Sequence, residues 1–151
     1  MGVNQQYLSY GGDLMVFVGT GVTKTPIAFS TSAKLNVSMK TRDISSKDSG
    51  DWTEKAAGKF DWNASTDGLS SFGATGTTHS VEDLYSCMMA KNPVNLAFGT
   101  RCGTSPSWSL NTLKKYFSGS ALITSMDMTA NDDETATYSV TFEGNGKLSI
   151  T

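Results

Sequence analysis

Residues 135–146 read TATYSVTFEGNG. Ala136, Tyr138, Val140 and Phe142 alternate with Thr137, Ser139, Thr141 and Glu143, and then Gly144 and Gly146 interrupt the pattern. A period of two sends successive side chains to opposite faces of an extended chain, so this is a strand with one dry and one wet face. Upstream, Asn131-Asp132-Asp133-Glu134 supplies turn chemistry, and residues 121–130 form the preceding strand, with Leu122, Met126 and Met128 predicted on one face. The C-terminal part of the chain is therefore a hairpin, followed by a short extended piece around Leu148 and Ile150.

The same period returns nearer the N-terminus. In residues 34–41, Leu35, Val37 and Met39 oppose Asn36, Ser38 and Lys40; in residues 59–67, Phe60, Trp62 and Ala64 oppose Asp61, Asn63 and Ser65. Residues 13–18, 26–30 and 93–100 are further strand candidates, while 70–78 and 103–107 read as loop and turn. Between two of the strands, residues 42–57 (RDISSKDSGDWTEKAA) keep no apolar period of either kind. They read as a long polar loop, unusual enough in a small domain to suggest a task.

Residues 80–91 carry the one helical pattern. Val81, Leu84, Tyr85, Met88 and Met89 are spaced as a single apolar stripe. Ser80 and Asp83 stand at capping-box positions, and Asn92-Pro93 ends the run. Strands, one helix and more strands predict a mainly β chain, an antiparallel sandwich or barrel with one flanking α-helix.

Composition fits one folded domain over 1–151. The chain is 38% hydrophobic, 10% aromatic and 17% charged, too aromatic for a disordered chain. A net charge of −2 argues against a phosphate-gripping nucleic-acid binder. No apolar h-region opens the sequence and no apolar run reaches the roughly 20 residues of a membrane helix, so neither export nor membrane anchoring is expected. Cys87 and Cys102 are then expected as free thiols in a reducing cytosol, and the N-x-[ST] triplets at Asn36 and Asn63 as chance.

Catalytic and metal-binding patterns are missing. His79 is the only histidine, and no G-x-S-x-G elbow accompanies it. The two cysteines stand fifteen apart, unlike a zinc pair. No P-loop or dinucleotide fingerprint is present, and Asp132, Asp133 and Glu134 lack calcium-loop spacing. No enzyme activity, metal or cofactor is expected. Trp62 belongs to a strand's apolar face and is expected in the core. Trp52, in the polar loop, is expected at a protein contact.

Three stretches in order carry a resemblance: KLNVSMKTRDISSKDS at 34–49, GKFDWNASTDG at 58–68 after Trp52, and SGSALITSMDMTANDDETATYSVTFEGNG at 118–146. Together they are similar to the phage major tail protein (tail-tube) family, over about residues 12–150. The resemblance implies a self-assembling structural subunit. Hexameric rings stack into a tube in the virion tail, through which DNA passes at ejection without sequence-specific binding. The implied partners are other copies, the tape measure and the tail terminator, with synthesis in the bacterial host cytoplasm. The chain stops soon after its last strand, so the C-terminal immunoglobulin-like domain of some relatives is not expected.

In that family a long inter-strand loop reaches neighbouring subunits. This makes Asp43, Ser45, Ser46, Lys47, Asp48, Asp51, Trp52 and Glu54 the assembly-loop residues, beside a flexible arm at residues 1–11. Both segments are expected to order on polymerisation. A polar lumen wall could be the stripe Thr137, Ser139, Thr141 and Glu143, or Asn36, Ser38 and Lys40 with Asp61, Asn63 and Ser65. Either stripe could equally be an outer solvated face. The competing readings are a tube of a phage-derived bacteriocin or secretion device, a carbohydrate-binding sandwich with Trp52 and Trp108 as stacking platforms, and a small hydrolase using His79.

Overall fold

The computed structural model describes residues 11–19, 25–27, 30–70, 72, 80–104 and 107–151. Among these residues nine strands and one α-helix follow in order: β1 (Leu14–Gly19), β2 (Thr25–Pro26), β3 (Ser30–Asp43), β4 (Lys55–Leu69), α1 (Val81–Ala90), β5 (Val94–Thr104), β6 (Ser107–Leu110), β7 (Phe117–Thr129), β8 (Thr137–Gly144) and β9 (Ser149–Ile150). All pairings are antiparallel. The sheet runs β2-β1-β5-β7-β8-β4-β3, with β6 beside β5 and β9 beside β7, and it does not close on itself.

The core is built where the alternation predicted it. Tyr138, Val140 and Phe142 of β8 are buried together with Trp62 and Ala64 of β4, Val16 and Val18 of β1, and Val94 and Leu96 of β5. Trp62 organises one end of that core. Its Nε1 donates to the Gly146 carbonyl at 3.0 Å, and its ring lies over Gly144 and Gly119. A Cβ on Gly144 would stand 2.2 Å from the indole, and one on Gly119 2.8 Å. The phenylalanine-Glu-Gly-Asn-Gly ending of β8 thus has a physical reason. Gly144 leaves room for an indole, and Gly146, at φ +96°, turns the chain so that its carbonyl meets the ring nitrogen.

Four expectations needed correction. Residues 42–57 are not all loop: β3 runs to Asp43 and β4 starts at Lys55, paired Asp43 to Lys55, so the loop is residues 44–54. The end of β3 is exposed on both faces, and the start of β4 buries no residue before Trp62, which erases the apolar alternation that marks a strand in sequence. Second, Leu122 does not share a face with Met126 and Met128. A bulge between Ile123 and Ser125 inserts Thr124 and reverses the parity, leaving Leu122 on the polar side opposite Glu143. Third, in the turn-rich stretch at 103–107, Gly103 and Thr104 belong to the end of β5 and Ser107 to the start of β6, while residues 105–106 lie outside the described residues. Fourth, the helix stripe is narrower than its spacing suggests: Val81 and Leu84 are buried, whereas Tyr85 and Met89 are more than half exposed. The helix start is as predicted, with the Ser80 backbone N–H donating to Asp83 Oδ2 at 3.1 Å.

Candidate functional site

β3 and β4 are 14 and 15 residues long, more than twice the common strand length of about 5–6. Only the pairings between the first half of β3 and the second half of β4 lie over the core. Leu35 faces Ala64 and Val37 faces Trp62, and beyond them Met39 faces Phe60. Trp62 is 4% exposed while Phe60, two residues on and on the same face, is 76% exposed. Past Phe60 the hairpin is an arm that leaves the body. A bulge sits at Gly58, where the Lys40 carbonyl comes within 2.5 Å of any added Cβ.

The residues expected to form an assembly loop cap this arm. The loop is closed by its own hydrogen bonds. The Ile44 N–H donates to the Glu54 carbonyl (3.0 Å) and the Glu54 N–H to Ser45 Oγ (2.8 Å). Ser46 and Ser49 form a reciprocal cap around the single turn Lys47–Ser49, and Ser49 Oγ donates to Glu54 Oε2 at 3.0 Å. Asp43 accepts from the Ser45 N–H at 2.8 Å, and that bonding to Ser45 holds its carboxyl below the ordinary range. The serines predicted as contact residues therefore spend their hydroxyls on shaping the loop. Trp52, at 83% exposure, and Ile44, at 55%, are presented outward.

The two alternative polar stripes turn out to be one surface. Register places Asn36, Asn63, Glu143 and Leu122 in one row across β3, β4, β8 and β7. The next row is Lys34, Ser65, Thr141 and Ser125, and the next Ser32, Asp67, Ser139 and Asp127. Thr137 follows between Leu69 and Thr129, while Ser38 and Asp61 pair at the outer end, with Lys40 beyond. Ser32 Oγ donates to Asp67 Oδ2 at 3.0 Å across the strands. This four-strand wall carries Asp61, Asp67, Asp127 and Glu143 against Lys34 and Lys40, so it is mildly acidic. Single sequences hide this, because which strands lie side by side is a property of topology.

β3 ends the sheet: among the described residues it is paired on one side only, by β4. On the other side it offers a long row of backbone donors and acceptors, the usual template for another strand. Below Phe60, on the apolar face, an open pocket of about 650 Å³ is lined by Val37, Lys59, Phe60, Asp61, Trp62, Phe117, Gly144, Gly146, Lys147, Leu148 and Ile150.

Other predicted features take different places. Trp108 on β6 lies under the Arg101 guanidinium, 4.1 Å from the ring centroid, so one face of that ring is already taken. Cys87 and Cys102 are both free and half-buried, and burial pushes the Cys87 thiol up, with Asp83 adding to it. Residues 1–10 of the predicted arm, His79 and most of 70–78 lie outside the described residues.

A family profile described as "Phage tail tube protein" matches residues 11–150. No curated protein sequence matches the chain significantly. Among solved structures, the chain resembles a protein in the tail of an empty gene transfer agent particle refined with C6 symmetry, at TM-score 0.74 and 20% identity, covering 95% of this chain and 99% of that one. It resembles the SPP1 tail tube at TM-score 0.67 and 9% identity, over 94% and 78% of the two chains. A chain in the baseplate of the anti-feeding prophage matches at TM-score 0.60 and 10% identity, over 100% and 97%.

Proposed function

The chain belongs to the phage tail tube protein family, and from that premise we propose that it is the repeating subunit of a virion tail tube. Copies close into six-membered rings, the rings stack into a hollow cylinder, and DNA leaves through it. The observation that carries this reading is the family match across 11–150, nearly the whole chain. The whole of 1–151 acts as one tail-tube unit.

Residue-level chemistry supports the same picture. A tube grows by heterologous contacts that never close along its axis, so a subunit must present unlike surfaces at its two ends. The hairpin arm with its loop at 44–54, and the body it leaves, are unlike in shape and charge. The unpaired edge of β3 suits strand addition from a neighbour within a ring. The polar wall headed by Thr137, Ser139, Thr141 and Glu143, now joined with Asn36, Asn63 and Ser65, suits the lumen. Affinity for DNA comes from cations that neutralise phosphates, and a wall with four acids to two lysines binds few of them, so DNA can slide. The partners are then further copies of the chain, with tape-measure and tail-terminator proteins at the ends. The role is structural, needing no cofactor, and the tube assembles after synthesis in the host cytoplasm.

A tube in a phage-derived injection device is the second reading. The likeness to a baseplate chain of the anti-feeding prophage favours it, though with a lower TM-score than the tail tubes above. Negative-stain microscopy of the concentrated protein tests the proposal. Six-fold rings or tubes with an axial hole are expected. A protein that stays monomeric at high concentration, from a particle with no cylinder built of it, would overturn it.

A further inference from the structure

The apolar pocket beside Trp62 has the wrong surroundings for a surface left to water. Phe60 and Ile150 on its rim are 76% and 61% exposed, next to Val37, Phe117 and Leu148. Contiguous exposed apolar surface of this kind marks a contact site. Its volume, about 650 Å³, lies within the range of roughly 300–1,000 Å³ that receives large ligands or side chains. Lys59 and Lys147 contribute charge to its rim, while Asp61, also among the lining residues, belongs to the opposite, polar face of β4.

The chain carries one group suited to fill it. Trp52 is an indole 83% exposed on a loop that is itself fixed by hydrogen bonds. Its loop, residues 44–54, holds Asp48, Asp51 and Glu54 against Lys47 alone, an excess of two negative charges. An exposed aromatic set in acidic surroundings complements an apolar pocket with a basic rim. Trp52 cannot reach its own pocket. The hairpin is paired out to Asp43 and Lys55, and five strand residues from Phe60 to Lys55 carry the tip roughly 17 Å beyond the pocket, at about 3.3 Å per residue. The occupant must come from another molecule.

We propose that the pocket lined by Phe60, Trp62, Lys147, Leu148 and Ile150 receives the hairpin tip of a second copy of the chain, with Trp52 as the inserted side chain. This deepens the tube reading and rests on it: the arm tip of one subunit docks at the arm base of the next, a head-to-tail contact that repeats without closing. Trp52 and the pocket then act as the paired anchor of the interface, in the manner of hot-spot aromatics.

Photo-cross-linking tests the contact. Trp52 is replaced by p-benzoylphenylalanine, which keeps an aromatic ring at the tip, and assembled tubes are irradiated and mapped by mass spectrometry. Intermolecular adducts on residues 59–62 or 144–150 are expected. Trp52→Ala, at an exposed position where folding is not at risk, should leave thermal unfolding of the free subunit unchanged. It should also raise the concentration needed for polymerisation at least about tenfold. Lys147→Glu should weaken assembly, and adding Asp51→Lys to it should restore much of the loss. Tubes that form normally from Trp52→Ala, or adducts that map elsewhere or within one chain, would overturn the pocket assignment while leaving the tube reading standing. Wild-type protein that never polymerises would remove both. Adducts to a different tail protein on the same lining residues would overturn the second copy as occupant.

Discussion

Trp62 and Trp52 stand ten residues apart on one hairpin, yet one is 4% exposed and the other 83%. Around Trp62 every neighbour has been shaped to it. Gly144 and Gly119 lack side chains where the ring lies, and the Gly146 carbonyl takes its N–H. Around Trp52 the loop is shaped only to itself, through serine and glutamate hydrogen bonds that leave the indole outside. The boundary is sharp, falling between Trp62 and Phe60. On one side the hairpin belongs to a core that the chain completes alone. On the other its apolar groups, Met39, Phe60 and Trp52, stay largely exposed to solvent. A buried core and an exposed apolar surface are thus written on the same two strands.

The largest test of that division is at the buried end. Trp62→Ala removes the ring that covers Gly119 and Gly144 and leaves a cavity. It should cost about 3–5 kcal/mol of subunit stability, read from urea unfolding of dilute protein. A loss below about 1 kcal/mol would mean that the core does not extend to Trp62, and the contrast with Trp52 would collapse.

A second test asks how dry the core face of β8 is. Tyr138 is buried opposite Gly68 and Met128. Burial, and secondarily the charge of Asp67, pushes its hydroxyl well above its ordinary value of about 10. A phenol with a raised folded pKa keeps its proton when the unfolded chain has lost its own. Stability is therefore unaffected below pH 10 and falls above it, by up to about 1.4 kcal/mol per pH unit from this group. Unfolding measured between pH 9 and pH 11 should show a component of alkaline loss that Tyr138→Phe abolishes. An identical pH slope in the two proteins would mean that water reaches the hydroxyl, and that the face is wetter than the geometry implies.

The sequence made these two regions unequally legible. Where a strand has one dry and one wet face, as at 136–143 or 59–67, alternation reveals it, and the capping residues Ser80 and Asp83 reveal the helix start. Where both faces are wet, as at Arg42, Asp43, Lys55 and Ala57, the strand leaves no periodic trace and reads as loop. Bulges are silent for a related reason. The insertion of Thr124 changes which face Leu122 occupies without changing any local preference. The residues expected in the assembly loop lie together at the arm tip, where their serines serve its shape. The polar stripes were visible singly, but their fusion into one wall depends on β4 lying beside β8, a pairing of strands about 75 residues apart in sequence. The pocket gave no signal at all, since it is assembled from β3, β4, β7, the end of β8 with the turn after it, and β9.

The smallest expected effect is the most discriminating. Phe60→Ser deletes a large aromatic side chain from the same face as Trp62, and by residue type alone it should be as damaging as a core substitution. If the boundary lies between the two residues, its cost to the free subunit is within about 0.5 kcal/mol, as for other exposed positions. The same variant should nonetheless impair polymerisation, because the apolar surface it removes is buried only when another molecule covers it. A stability loss of several kcal/mol in the dilute subunit would place Phe60 in the core of the monomer. The arm would then be an extension of the body, held by the chain's own packing, and its exposed aromatics would need no second molecule to explain them.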